Sequence, residues 1–575
     1  MVETENLIAT KKESKNEEPS RHQFKTWYEY FFSVNNLCIG LTNFIIFPAK
    51  VHEYRGGAFL VAYFCMLIVI GYPVLYLELI IGQYHRSSPM LFIRRCAPIL
   101  QGFGWLSLVS AILILFPYQY SVARAFKFVV SLSRPRSKLR MPWSTCDNRW
   151  NTKDCYQFFD EKCPDLKSGH IVFKEICVNE TGLPTKGIYS AEEQYLHSVV
   201  HKSVKSHMSF SNFDSGMACS IFIIWLSIAY IQLRAGNKTT PLIYVPTVII
   251  FLICPFFFFR ALHLDGATIG IVEMIRVEWA ELLYSQLWID ALNLVIQSLR
   301  IGIGGHTVMA PMAQPQRQTF YVASLAVLLD TILSLVIAGT LFSILGHISH
   351  SIGRDSVYDL TVLPPRLIIT HSTWPVLLRQ VAHNAWLWVL FYYIAILVVG
   401  WKFCALVLKT ISVSIADVFL FSTRSHFYNY FTIGVSIVMA SFGLILCYDG
   451  GSTYIPMVED VQKVATGLFI TAEVVTVLEF YGLKIFYGDI HSLMGNPSDF
   501  QWSHAYTWSF WKWRWRMAPV AGLGLRGDEP SLLASRDCYA TLGSFRCDGS
   551  KQCLVHNVFI DTRWATKIPE GYSIS

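Results

Sequence analysis

The sequence has few charged residues. Only 15% of its 575 residues are Asp, Glu, Lys or Arg, whereas 53% are hydrophobic and gather in long runs. Soluble globular domains carry about 25% charged residues, so this composition excludes an ordinary soluble domain. It is typical of a membrane protein, because a helix needs about 20 apolar residues to cross the bilayer core.

Motifs for catalysis are missing as well. The sequence contains no glycine-rich phosphate loop, no His-Glu-x-x-His metal helix and no nucleophile elbow, so we expect no enzyme and no catalytic residue. A net charge of +7 does not indicate a nucleic-acid partner, and we expect none. The first 28 residues are polar, which is not the pattern of a cleavable signal peptide.

Ten apolar segments are long enough to cross a bilayer. They lie near residues 31–50, 58–83, 102–130, 217–233, 241–262, 286–312, 319–347, 386–412, 428–447 and 462–487. The pattern predicts an all-α polytopic membrane protein. Its parts would be an N-terminal tail (1–28), a ten-helix core (29–490) and a C-terminal tail (491–575).

Basic residues in the short loops indicate the orientation. They follow segments 2, 4 and 8: Arg86, Arg94, Arg95, Arg234, Lys238 and Arg424. Because cytoplasmic loops are rich in Lys and Arg, we expect these loops and both tails in the cytoplasm. The long loop 132–212 is then extracellular, which suits a glycosylation sequon at Asn179. Cys146 and Cys155 are disulfide candidates in this loop, although Cys163 and Cys177 leave other pairings open.

Two of the ten segments contain residues that a continuous helix avoids. Segment 1 carries Asn35, Asn36, Gly40, Thr42 and Asn43, and segment 6 carries Gln297, Ser298, Arg300, Gly302, Gly304 and Gly305. Unwound backbone at membrane depth must be buried in protein or line a cavity, and a pair of such breaks marks a transporter site. Small-residue helix packing is the simpler alternative. It explains the glycines but not Arg300, because an intramembrane charge is costly unless it is paired or hydrated.

Short motifs in a fixed order cover residues 21–495. They include Arg55-Gly56-Gly57-Ala58-Phe59, Gly71-Tyr72-Pro73, Gly82-Gln83-Tyr84, Pro142-Trp143-Ser144-Thr145-Cys146, Leu264-Asp265-Gly266-Ala267, Trp288-Ile289-Asp290-Ala291 and Phe480-Tyr481-Gly482. In this order they resemble the neurotransmitter:sodium symporters, solute carrier family 6. The resemblance implies an inverted five-plus-five helix repeat, broken helices 1 and 6, and a Cys146–Cys155 disulfide. After Gly495 no apolar run can cross a bilayer, so we expect the family's helices 11 and 12 to be absent.

The resemblance also assigns a solute site and a sodium site. The solute site comprises Gly40, Tyr118, Ser298, Arg300 and Gly302. Gly40 leaves room for a substrate carboxylate, which the Tyr118 hydroxyl would bind, so we expect an amino acid or a close derivative. The first sodium site comprises Cys38 through its backbone carbonyl, Asn43, Ser298 and Asp330, and these oxygen ligands suit a hard cation. Sodium is the expected coupling ion, and no cofactor is expected.

Two further ion sites of the family are altered. The former second sodium site consists of Asn36, Ile39, Val399, Lys402 and Phe403. The Lys402 ammonium would supply the charge that sodium otherwise brings. The former chloride site consists of Tyr76, Leu294, Ser298, Asp330 and Ser334. The Asp330 carboxylate would replace the anion, so we expect transport that is independent of chloride.

The residue pairs that close the two sides of the solute site in the family are only partly present in this sequence. Arg21 and Asp417 match the pair that closes the cytoplasmic side, and Asp460 matches the acidic half of the outer gate. Ile46 stands where the outer gate has its arginine. Arg300 would then pair with Asp460 or Asp330, or bind an anionic substrate in a bidentate manner.

These residues together predict a sodium-coupled symporter for an amino-acid-like solute, working by alternating access in the plasma membrane. One alternative is a transport-deficient relative that acts as a solute sensor or as a regulatory membrane partner. A proton-coupled exchanger is another. A small solute and the lipid bilayer are the expected partners, and the sequence indicates no oligomeric state.

Overall fold

The computed structural model describes most of the predicted helical core. The long described stretches are residues 26–133, 213–235, 240–313, 319–352, 385–419, 426–448 and 454–482. Shorter described pieces lie within 141–195, 356–378, 485–489 and 544–556. Arg21 and residues 491–543 lie outside the described residues.

Helices dominate the described chain. The α-helices are α1 (Trp27–Cys38), α2 (Phe47–Glu53), α3 (Gly57–Met66), α4 (Tyr72–His85), α5 (Pro89–Cys96), α6 (Gln101–Ser133), α7 (Ala191–Tyr195), α8 (Ser215–Ala235), α9 (Thr240–Leu262), α10 (Ala267–Ile275), α11 (Ser285–Leu299), α12 (Gly305–Met309), α13 (Thr319–Ile352), α14 (Ala385–Val418), α15 (His426–Ile445) and α16 (Tyr454–Val475). Wider π-helical turns span Thr42–Ile46, Leu67–Gly71 and Thr476–Gly482. Short 3-10 turns span Pro98–Leu100, Trp279–Leu283, Ala310–Met312 and Val357–Asp359.

Seven helical spans in the described chain are long and apolar enough to cross a membrane, and two bent helix pairs raise the number to nine. One bent pair is predicted segment 1, which turns by 47° between Cys38 and Thr42. The other joins the end of α9 to α10 with a 113° bend. Predicted segment 6 does not pass this test, because the chain unwinds after the 15 residues of α11. The polytopic helical class is therefore confirmed.

Two small β-sheets lie outside the helical core. The long loop 132–212 contains β1 (Cys155–Gln157), β2 (His170–Phe173), β3 (Ile176–Asn179) and β4 (Tyr189–Ser190), in the order β3-β2-β1-β4. The Cys146–Cys155 disulfide forms beside β1, as expected. The C-terminal tail contains an antiparallel hairpin of β5 (Ser544–Asp548) and β6 (Gln552–His556).

Packing places the two interrupted helices at the centre. Helix α6 packs along α14 and α16, while α13 packs against α1 and α4. Buried apolar side chains fill these contacts, including Leu37, Leu115 and Phe403. The unwound segments therefore lie inside protein, which is the condition under which unwound backbone is tolerated at membrane depth.

Candidate solute and ion site

Predicted segment 1 unwinds at Gly40, and side chains accept hydrogen bonds from the backbone N–H groups that lose their helical partners there. The Ile39 N–H still donates to Asn35 O, at 3.0 Å. The Gly40 N–H instead donates to Asn43 Oδ1, at 2.9 Å, and the Leu41 N–H donates to the Tyr118 hydroxyl, at 3.1 Å. These bonds replace helical partners, because an unpaired buried amide is costly.

Predicted segment 6 unwinds at Arg300, directly after α11. Arg300 has a φ of 57°, and Gly302 and Gly304 have φ values of 83° and 72°, a region that suits glycine and is unfavourable for arginine. The Gly302 N–H donates to Glu78 Oε1 at 2.6 Å, and His306 Nε2 bonds to Leu299 O at 2.7 Å. The sequence reasoning missed both partners. The signal for Glu78 was a carboxylate within an otherwise apolar run.

Gly40 lies where the two breaks meet. A Cβ added there would stand 2.7 Å from Tyr118 Oη and 2.8 Å from Arg300 Nη2. No larger residue fits without movement of these groups. The structure thus brings together Gly40, Tyr118 and Arg300 from three different helices.

Asn43 joins the expected sodium site to the former chloride site. Its Nδ2 donates to Asp330 Oδ1 at 2.7 Å and to Ser334 Oγ at 2.8 Å, and lies 3.4 Å from Ser298 Oγ. Ser298 Oγ donates to Asp330 Oδ2, at 2.7 Å. Cys38 is the last residue of α1, directly before the break, and its Sγ lies 3.7 Å from Leu299 O. Asp330 is buried, and both of its oxygens accept hydrogen bonds from neutral groups.

The remaining chloride-site residues are also buried. Tyr76 stacks on Tyr72 and contacts Phe320 edge-on, and Leu294 lies in the apolar core. Leu294 has no polar atom to offer an ion. The polar groups that the site retains are therefore the Tyr76 hydroxyl and the cluster of Ser298, Asp330 and Ser334.

Lys402, which the resemblance assigns to the former second sodium site, is buried and only 4% exposed. Its Nζ donates to Asn36 Oδ1, at 2.7 Å, and lies 3.4 Å from Thr247 Oγ1. The Thr247 hydroxyl also donates to Asn36 Oδ1. The sequence reasoning missed Thr247, because nothing in a threonine on an apolar helix indicates its partner. Ile39, Val399 and Phe403 are fully buried apolar residues of the same core.

Arg300 lies between two aromatic rings. Its guanidinium carbon is 4.8 Å from the Tyr118 ring centre and 4.5 Å from that of Phe403. Its Nη2 donates to Thr42 Oγ1, at 2.7 Å. Arg300 lines a cavity of about 220 Å³, which Ile46, Gln297 and Glu459 also line.

The gate residues are separate from this centre. Asp460 forms an ion pair with Lys463 at 2.8 Å, and its side chain is 73% exposed. Asp417 accepts a hydrogen bond from the Ser88 N–H, at 2.8 Å. Its expected partner Arg21 lies outside the described residues. Asn179 ends β3 in the long loop, and both its glycosylation and the extracellular side of this loop stay predictions.

The fold and the site define a class. Two interrupted membrane helices cradle a small cavity and a buried polar cluster inside a bundle of apolar helices. This is the architecture of a secondary transporter, whose discontinuous helices form the solute and ion sites near the midplane.

Sequence comparisons give the family. The model of the sodium:neurotransmitter symporter family matches residues 21–520, and the chain belongs to this family. The chain is 23% identical over 503 residues to the sodium-dependent transporter snf-5 of Caenorhabditis elegans, covering 84% of this chain and 67% of the relative. It is 25% identical over 510 residues to the sodium- and chloride-dependent glycine transporter 2 of Xenopus laevis, covering 85% and 62%. With the sodium-dependent nutrient amino acid transporter 1 of Drosophila virilis, it shares 26% identity over 510 residues, covering 87% and 76%.

The chain spans less than two thirds of the length of the Xenopus laevis relative, and 67% and 76% of the other two. Membership places it among sodium-coupled solute symporters and not among enzymes. The predicted family and the absence of an enzyme are thereby confirmed.

Proposed function

We propose that this protein carries an amino-acid-like solute across the plasma membrane together with one sodium ion, without chloride, by alternating access. The observation that carries the proposal is the hydrogen-bonded cluster of Asn43, Ser298 and Asp330. It links the break in helix 1 to the break in helix 6 directly beside Gly40 and Tyr118.

The cluster offers sodium the ligands that it needs. Asp330 supplies carboxylate oxygens, and Ser298 and Ser334 supply hydroxyls, all of which suit a hard cation. In the present state the Asn43 amide donates to Asp330 and Ser334. Sodium entering the cluster would compete with this amide for the same oxygens. Because the Gly40 N–H donates to Asn43 Oδ1, a shift of Asn43 on sodium binding would also move the backbone at Gly40.

Sodium and solute would favour the same conformation, because both draw on residues of the two broken helices. Each ligand then raises the affinity for the other by the same factor, which is the thermodynamic condition for coupled transport. The names of the relatives describe sodium-dependent carriers of glycine and of nutrient amino acids, which supports an amino-acid-like solute.

Fixed charges would replace the other two ions of the family. Lys402 donates to Asn36 in the second sodium position, so a permanent ammonium would supply this charge. Asp330 supplies a negative charge at the former chloride position. On this basis a single mobile sodium accompanies the solute.

The test is uptake by purified protein in liposomes. An inward sodium gradient should drive accumulation of labelled amino acids, with gluconate as the only anion and with choline as the sodium replacement. In gluconate, Asp330→Asn should lose the sodium response, whereas Asp147→Asn, the same change on an exposed loop residue, should retain it. Binding without accumulation would favour the sensor alternative and contradict the proposal.

A further inference from the structure

Arg300 forms no direct ion pair with an acidic side chain among the described residues. Its side chain is 2% exposed, and the one hydrogen bond of its guanidinium runs to the neutral hydroxyl of Thr42. Its Nε is buried without an acceptor. The Asp330 carboxylate acts on Arg300 only at longer range, because its oxygens accept hydrogen bonds from Asn43 and Ser298. A buried cation without a carboxylate in direct contact is costly, so this arrangement indicates that a partner from outside the protein binds the guanidinium.

The nearest acidic side chains are engaged elsewhere. Asp330 accepts from Asn43 and Ser298, and Asp460 pairs with Lys463 on the surface. Glu459 lines the same cavity as Arg300 but forms no ion pair with it within the described chain. Arg124 lines this cavity too, so its walls carry two cations and one carboxylate.

The guanidinium is held in place rather than free to fold away. The rings of Tyr118 and Phe403 contact it at 4.8 and 4.5 Å, and Thr42 fixes its Nη2. The Tyr118 hydroxyl accepts from Leu41, and its own proton has no acceptor in the described part of the chain. Two donors, Arg300 Nε–H and Tyr118 O–H, thus lie beside the glycine gap at residue 40.

We propose that the solute of this transporter is a carboxylic acid with a net negative charge, and that one of its carboxylates binds Arg300. The inference rests on the proposed function, which makes this cavity the solute site. A carboxylate matches the planar guanidinium and neutralises its charge. A neutral zwitterion brings an ammonium group as well. This positive charge would lie near Arg300 and Arg124, and the cavity offers only one carboxylate to balance the three cations.

Three probes of nearly equal size separate the possibilities. Glutamine is a zwitterion, glutamate adds one negative charge, and glutaramate is glutamine without its ammonium group. The readout is the melting temperature of the purified protein with each probe in sodium-containing buffer, since a ligand stabilises the fold that binds it. We expect stabilisation by glutamate or glutaramate and little by glutamine. Response to glutamate alone would identify an acidic amino acid, and response to both anions would identify a carboxylate that needs no amine.

The variant Arg300→Gln tests the residue. Loss of a charge-assisted hydrogen bond should weaken binding of the anion about ten- to hundred-fold. Arg276→Gln makes the same change at a side chain that is 68% exposed and should leave binding unaltered. If Arg300→Gln does not fold, the charge preference of the wild-type protein still decides the question.

The two proposals fail in different ways. Stabilisation by glutamine equal to that by the anions, or an anion response that survives in Arg300→Gln, would overturn the anionic solute while leaving sodium-coupled transport intact. Anion binding that depends on Arg300, without accumulation under a sodium gradient, would support the anionic ligand and overturn the transport function.

Discussion

Replacing Lys402 tests whether its ammonium stands in for a second sodium ion. Its Nζ lies 2.7 Å from Asn36 Oδ1 and 3.4 Å from Thr247 Oγ1. A hydrogen bond from a charged donor contributes about 1.5–3 kcal/mol, while desolvating an ammonium costs several kcal/mol. Because these effects oppose each other, Lys402→Met should change the free energy of unfolding by less than about 2 kcal/mol.

Lys402→Ser has a different effect. It opens a cavity, which costs about 2–5 kcal/mol by comparison with large-to-small core substitutions. It also adds a hydroxyl to the oxygens of Asn36 and Thr247, and together they form a set of ligands that suits sodium. Sodium at one hundred times its dissociation constant would return about 2.7 kcal/mol.

The assay is thermal unfolding of the purified variants in sodium chloride and in N-methyl-D-glucamine chloride at equal ionic strength. Lys402→Ser should be the least stable protein without sodium and should gain more from sodium than either the wild type or Lys402→Met. The wild type measures the contribution of the first sodium site, which all three proteins share. Equal sodium responses in the two variants would refute the reasoning.

Three further predictions concern other parts of the fold. Asp330→Asn replaces the fixed negative charge with a neutral amide, so any uptake that remains should be higher in chloride than in gluconate; equal rates would contradict this role. Gly40→Ala places a Cβ 2.7 Å from Tyr118 Oη, and overpacking of about 1–3 kcal/mol should lower solute affinity about ten-fold, whereas Gly434→Ala, with open space around its Cβ, should not. Cys146→Ser should lower the free energy of unfolding by about 2–4 kcal/mol, and a reducing agent should then destabilise only the wild type.

The sequence was informative where backbone chemistry decides the structure. Glycines and asparagines within apolar runs predicted the breaks at Gly40 and near Gly302, because such residues tolerate or bind unwound backbone. A helix lies at each of the ten apolar segments, and seven spans of the described chain, or nine with the bent pairs, are long and apolar enough to cross a membrane. The last of them begins earlier than expected, at Tyr454, because its first turns carry charged residues that lower the apolar signal.

The hydrogen-bond partners of the buried polar groups were harder to predict from the sequence. Thr247 joins Lys402 and Asn36 from a helix that is distant in sequence, and Glu78 reaches Gly302 over 224 positions. The sequence left three partners open for Arg300, namely Asp460, Asp330 and an anionic substrate. It did not predict the hydrogen bond to Thr42. Such contacts depend on how helices pack, which single-sequence periodicity does not specify.

The central claim is that one mobile sodium and two fixed charges serve this site. The most direct test is the initial rate of solute uptake by protein in liposomes, measured against external sodium with gluconate in place of chloride. The account predicts a hyperbolic dependence with a Hill coefficient of about 1 and an undiminished rate without chloride. A sigmoidal dependence with a coefficient approaching about 2, or loss of uptake on removal of chloride, would contradict it.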